Sequence, residues 1–153
     1  MLEKFYYKSP IGILEISLGY NVVLGLKVVK NYVKNAEPTD FFTNVATQLD
    51  EYFTGSRKHF NLQIQPEGTE FQIKVWEELI KIPYGETKSY QEIAEIIGNP
   101  NAQRAVGSAC NKNPILLIIP CHRVIAKSGK LTGFAYGLDI KKHLLKLENI
   151  NRT

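Results

Sequence analysis

The sequence predicts an α/β fold. An antiparallel sheet with one helix occupies residues 1–67, and a mainly helical unit with a helix-turn-helix occupies residues 68–153. Three observations carry this. Two β-rich apolar runs, Ile11 to Leu18 and Val22 to Val29, flank the break Gly19-Tyr20-Asn21. Two capping boxes, Thr69 with Gln72 and Ser89 with Glu92, each precede an apolar stripe at helical spacing. Between these regimes lies Gln65-Pro66-Glu67-Gly68-Thr69, whose Pro and Gly mark a junction.

The elements follow in chain order. The two apolar runs read as antiparallel strands joined by a short turn. Phe42, Val45, Ala46, Leu49 and Phe53 then recur on one face of a helix over 39–54, with Gly55 as its stop. Phe60, Leu62 and Ile64 alternate with polar residues and predict a further strand. Thr69 opens a helix striped by Phe71, Val75, Trp76 and Leu79, and Pro83-Tyr84-Gly85 closes it. Ser89 opens a second helix through Ile97. Asn101 is the expected cap of a third, through about Asn111. The last helix runs from about Asp139 to Glu148, with Ile140, Leu144 and Leu147 inward.

Composition narrows the function classes. The longest apolar run, Ile115 to Ile119, is far short of the roughly 20 residues a membrane helix needs. MLEKFYYKSP has no apolar core with a cleavage site, so no signal peptide is expected. Cys110 and Cys121 are too few for a disulfide scaffold or a multi-cysteine zinc site. The expected compartment is the reducing cytoplasm, with no metal and no cofactor. Residues 1–68 balance 7 Lys/Arg with 7 Asp/Glu, whereas residues 69–153 set 12 against 8. The basic excess sits wholly in the second half, which suits a polyanion or an ordinary solvated surface.

Two features carry chemistry. Residues 89–98, 99–100 and 101–111 form a helix-turn-helix pattern. Its second helix is slim, with Ala102, Ala105, Gly107, Ser108 and Ala109, and only Gln103, Arg104 and Lys112 project far. Such a hairpin binds DNA in some proteins and is merely structural in others. After it, an apolar run delivers the chain to Pro120-Cys121-His122-Arg123. A thiolate is the nucleophile at a reactive cysteine, and a neighbouring base or cation raises its population. Taken alone, Cys121-His122 also fits a buried structural cysteine beside an unrelated histidine, and Cys110 has only that reading.

The combination resembles the O6-alkylguanine-DNA alkyltransferases (methylated-DNA–protein-cysteine methyltransferases). Pro120-Cys121-His122-Arg123-Val124 matches their active-site segment. Arg104-Ala105-Val106-Gly107 and Asn113-Pro114 stand ahead of it, and Gly133-Phe134-Ala135-Tyr136-Gly137 and Lys141 to Glu148 behind it. Ser9-Pro10-Ile11-Gly12, Tyr52-Phe53-Thr54-Gly55 and Gly68-Thr69-Glu70-Phe71 extend the similarity over nearly the whole chain.

The resemblance implies a ribonuclease-H-like α/β domain over 1–67 and a DNA-binding, alkyl-accepting domain over 68–153. It implies single-turnover repair by direct damage reversal: an alkylated guanine is flipped from the duplex and its alkyl group moves onto Cys121. Glu148 would orient His122, which acts through a water on Cys121, and Asn113 would tie the recognition helix to the active-site turn. Arg104 would fill the space of the flipped base, and Tyr90 would help rotate the nucleotide. Gln91, Ala102, Gln103, Gly107 and Arg123 are the further expected DNA contacts. Val124, Phe134, Ala135, Tyr136 and Leu116 would wall the substrate pocket. The implied partner is double-stranded DNA containing O6-alkylguanine, bound by a monomer with no membrane association.

Three positions depart from common family patterns. Leu116 replaces a proline, Phe134 a tyrosine and Tyr136 a glycine, which bears on the range of alkyl groups. Two other readings stay open here: a non-enzymatic sensor of alkylated DNA, against which Cys121 argues, and a helix-turn-helix regulator with an incidental cysteine.

Overall fold

The computed structural model describes residues 2–131 and 133–152. Three strands come first: β1 (Glu3–Ser9), β2 (Gly12–Gly19) and β3 (Val22–Val29), in an antiparallel sheet of order β1-β2-β3. The sequence reading missed β1. Only Phe5 in it is fully buried, and Glu3, Lys4 and Lys8 break the apolar alternation that marks its neighbours. Between β2 and β3 the register slips after Ser17, so that Leu18 faces Val23 and Leu24 is the extra residue of a bulge. The inward side chains Phe5, Leu14, Ile16, Leu18, Val23 and Leu26 are at most 2% exposed.

Helix α1 (Asp40–Phe53) packs on this face. Thr39 caps it by accepting from the Phe42 N–H, and Phe5 and Phe42 stack with ring centroids 4.3 Å apart. The strand expected at Phe60 to Ile64 is instead an extended segment with one parallel bridge, Val23 to Ile64. It makes two backbone bonds to β3, Val23 N–H to Gln63 O and Gln65 N–H to Val23 O. Pro66, lacking an N–H, cannot extend the ladder.

The second half is helical. Thr69 and Gln72 form the anticipated capping box of α2 (Glu70–Ile80). A Cβ at Gly68 would lie 2.5 Å from the Trp76 ring, so the chain enters α2 too close to Trp76 for a side chain. Ser89 and Glu92 form the second box, opening α3 (Tyr90–Ile96). Helix α4 (Gln103–Asn111) starts after Ala102 rather than Asn101, with no side-chain cap. The Ala102 N–H is used by Asn99 O in the tight turn, which carries the chain past Asn101 before the helix begins.

Trp76 fixes α4 by donating its indole N–H to Ala109 O across 2.8 Å. A two-residue strand β4 (Lys88–Ser89) pairs in parallel with β5 (Val124–Ile125). Helix α5 (Leu138–Asn151) closes the chain, three residues longer than expected at its C-terminal end. The buried apolar side chains of both halves form one continuous core. No helix among the described residues is long and apolar enough to cross a membrane.

Candidate active site

The cysteine is delivered by a segment braced on the sheet. The Leu26 N–H donates to Pro114 O, and the Leu116 N–H donates to Leu26 O, each 2.9 Å. β3 therefore holds residues 114–116 as a short parallel partner. Leu117 then adopts φ 74°, and the Ile118 N–H donates back to Leu116 O across 2.9 Å. A leucine in the left-handed region is strained by about 1–3 kcal/mol and persists only where its surroundings hold it. Here Ile115, Leu116, Leu117 and Ile119 are at most 2% exposed, so burial supplies that hold. The chain then tightens into a 3-10 turn, Cys121–Arg123.

Cys121 is buried. Removal from water pushes its thiol up to about 11, against the opposing pull of the Asn113 amide donor and the Lys141 charge. The Asn113 amide nitrogen lies 3.2 Å from Sγ and also donates to Ile119 O at 2.7 Å. Its Oδ1 accepts the Ile115 N–H at 2.9 Å. An uncharged thiol at neutral pH needs a base, and the next residue in the chain is one.

His122 is fully buried, and its Nε2 lies 2.6 Å from Glu148 Oε2. Burial pushes the imidazole below its ordinary value, outweighing the attraction of Glu148. The imidazole is therefore neutral. With Nε2–H donating to the carboxylate, Nδ1 is left as an acceptor, and Nδ1 has no protein hydrogen-bond partner among the described residues.

Glu148 is 1% exposed and is the hub. Arg123 donates to it twice, Nε to Oε1 at 2.8 Å and Nη2 to Oε2 at 3.1 Å, and gives Nη1 to Ile82 O at 2.7 Å. The Tyr52 hydroxyl donates to Oε2 at 2.6 Å, and the Gly85 N–H reaches Oε1 at 3.5 Å. Burial alone opposes ionisation of Glu148. The hydrogen bonds from His122 and Arg123 and the Arg123 charge outweigh it and hold the carboxyl well below its usual range.

Lys141 is also fully buried. Its Nζ donates to Val124 O at 2.6 Å and lies 3.5 Å from the Tyr90 hydroxyl. It sits 5.8 Å from the centres of the Tyr90 and Phe134 rings. Burial lowers the proton affinity of its amine, and negative charge on the Cys121 or Cys110 sulfur would oppose that.

The presumed DNA-facing residues divide. Tyr90, Gln103, Arg104 and Gly107 line one shallow depression of about 290 Å³, together with Asn111 and Gly133. The Gln91 amide pairs with Glu95 at 3.1 Å on α3. Ala102 is buried against the core. Arg123, expected at the DNA, is buried instead, because Glu148 and Ile82 O take its guanidinium. Leu116 is fully buried behind the thiol segment. Phe134 and Tyr136 meet edge to face with centroids 6.0 Å apart, and Ala135 between them is exposed.

Sequence reasoning placed Tyr52 and Lys141 in matching motifs but gave neither a role. Lys141, Leu144 and Glu148 fall at i, i+3 and i+7, one face of α5. That spacing was the signal that both charged groups point inward with Leu144. For Tyr52 no local signal exists, since its partner lies 96 residues away.

Residues 2–66 match the ribonuclease-like domain of 6-O-methylguanine DNA methyltransferase, and residues 70–150 match its DNA-binding domain. A methylated-DNA–protein-cysteine methyltransferase of Methanosarcina acetivorans is 52% identical over 148 residues, spanning 93% of this chain and 95% of that one. The crystal structure of Mycobacterium tuberculosis O6-methylguanine methyltransferase superposes with a TM-score of 0.89 at 41% identity, covering 99% of this chain and 94% of the other. The M. tuberculosis OGT structure in complex with DNA gives 0.88 at 43% identity, covering 97% and 93%. Both halves of the chain, their order and their fold are thus those of a single lineage, and the protein belongs to the 6-O-methylguanine DNA methyltransferase family.

Proposed function

We propose that this protein repairs DNA by direct reversal, moving the alkyl group of O6-alkylguanine onto Cys121 in one irreversible turnover. Its relatives carry the name of that activity, methylated-DNA–protein-cysteine methyltransferase. The observation that carries the residue assignment is the buried chain Glu148–His122 ending at a histidine nitrogen next to the Cys121 turn.

In this reading His122 Nδ1 takes the thiol proton, through a water, and Glu148 stabilises the imidazolium that results. A sulfur electron pair forms the S–C bond to the alkyl carbon. The C–O6 bond breaks, its electrons pass to the guanine, and the proton taken up by His122 passes through water to that guanine, which stays in the strand restored. Asn113 supports the thiolate by donating to Sγ. The thioether is stable, so the protein is consumed.

The target atom lies inside the stack, so the nucleotide must leave it. Arg104 and Tyr90, on one depression, are the candidates to replace and turn it. A slim α4 with Ala105 and Ser108 exposed beside Arg104 suits close approach to a groove floor. The protein acts as a monomer on double-stranded DNA. Mixing it with an O6-methylguanine duplex and digesting it should place one added methylene on the Cys121 peptide. Cys121→Ala should abolish uptake and keep DNA binding, while Cys110→Ser should leave both intact. Burial pushes the Cys110 thiol up to about 12. Methyl uptake by the Cys121→Ala protein would overturn the assignment.

A further inference from the structure

Glu148 receives more donors than the relay requires, and one comes from the other half of the protein. Tyr52, on α1, is fully buried and donates its hydroxyl to Oε2, the same oxygen that faces His122 Nε2. Both contacts are 2.6 Å. The ring is fixed by Phe53 and Phe60, with centroids 5.3 Å away, and by Tyr84 at 6.3 Å. The hydroxyl therefore has one orientation and one acceptor.

We propose that Tyr52 is a positioning residue of the amino-terminal domain that moderates the pull of Glu148 on His122, and so sets the pH below which transfer fails. The inference rests on the Glu148–His122–Cys121 reading above. A neutral donor on Oε2 withdraws negative charge from the oxygen that would stabilise an imidazolium. With that donor, His122 stays neutral to lower pH and remains a base. Without it, Glu148 holds the extra proton on His122 more firmly.

The other groups facing the pair leave this sign unchanged. Arg123 flanks Glu148 in the 3-10 turn, and Lys141 on α5 adds positive charge that disfavours imidazolium. Tyr84, in the turn after α2, faces Glu148 with its ring near Arg123 and Lys58. Cys121 completes the set. None of these changes when the Tyr52 hydroxyl is removed. Tyr52 itself stays protonated, because burial and Glu148 push its phenol well above the ordinary value.

The test is the pH profile of single-turnover methyl transfer from duplex DNA. In Tyr52→Phe, which keeps the ring, the acid limb should move up by about half to one pH unit, a ~3–10-fold rate loss on that limb. Replacing Tyr52 with a fluorotyrosine, a stronger donor, should move it down. DNA affinity should be unchanged in both. An acid limb that stays in place in both proteins, while Glu148→Gln slows transfer, overturns the role of Tyr52 and leaves the relay standing. If Glu148→Gln transfers like the wild type, the relay falls and this inference falls with it.

Discussion

Asn113 and Cys121 are joined by one side-chain amide: Nδ2 lies 3.2 Å from Sγ and 2.7 Å from Ile119 O, two residues before the thiol. The amide both fixes the turn and faces the sulfur. A hydrogen bond to a charged acceptor is worth roughly 1.5–3 kcal/mol. Asn113→Ala should therefore raise the Cys121 thiol further and slow transfer by roughly 10–100-fold. Iodoacetamide labelling of Cys121 across pH, without DNA, checks it: the labelling curve should move to higher pH than in wild type.

Glu148→Gln should slow transfer by roughly 10²–10⁴-fold, the usual size of a general-base effect. It should also cost about 3–5 kcal/mol of stability near neutrality, because Arg123 is left buried without its counter-charge. The pH dependence has a definite sign. The folded carboxyl titrates well below its ordinary 4.5, so its stabilisation is complete above that value and is lost as pH falls. Urea midpoints of the wild type should thus drop more steeply in acid than those of Glu148→Gln. Parallel curves would show that the carboxylate is not the group being titrated.

Arg104 is exposed at the start of α4, beside Tyr90 and Gly107. Arg104→Ala should impair transfer from duplex DNA far more than transfer from free O6-methylguanine base. Only the duplex reaction must hold a base out of the stack, at a few kcal/mol. Competition of the two substrates against a labelled one measures the difference. Equal loss on both would indicate a damaged active site instead.

Tyr136 borders both Phe134 and an open cleft of about 650 Å³ on the sheet, whose wall includes Gly25, Leu26, Asn113 and Pro114. A ring in a close-packed pocket resists a bulky substituent at about 1–3 kcal/mol. Methyl transfer should therefore be efficient and benzyl transfer weaker, and Tyr136→Gly should raise the benzyl-to-methyl rate ratio by joining the pocket to the cleft. A lower ratio in the variant would mean that the ring stacks on the benzyl group.

Local pattern made much of the fold legible. Thr69 with Gln72 and Ser89 with Glu92 satisfy their own helix ends within four residues, so nothing distant is needed to form them. Strand β3 was bounded by its own turn and its own apolar run. Where local pattern was weak, the reading failed. The charged β1 is a strand because β2 supplies its partners, and the Phe60 to Ile64 segment is not one because β3 gives it only Val23.

The site divides in the same way. The residues that surround the thiol in sequence, Asn113 through Val124, were readable as one motif, because a single short stretch of chain builds the turn. What tertiary structure alone decided is the charge around it. Arg123 was placed at the DNA by its position in the motif, yet Glu148, 25 residues on, draws it into the core. Tyr52 reaches the same carboxylate from the other half of the chain. A buried charge must find its partners wherever the fold brings them, and sequence spacing holds no record of that meeting.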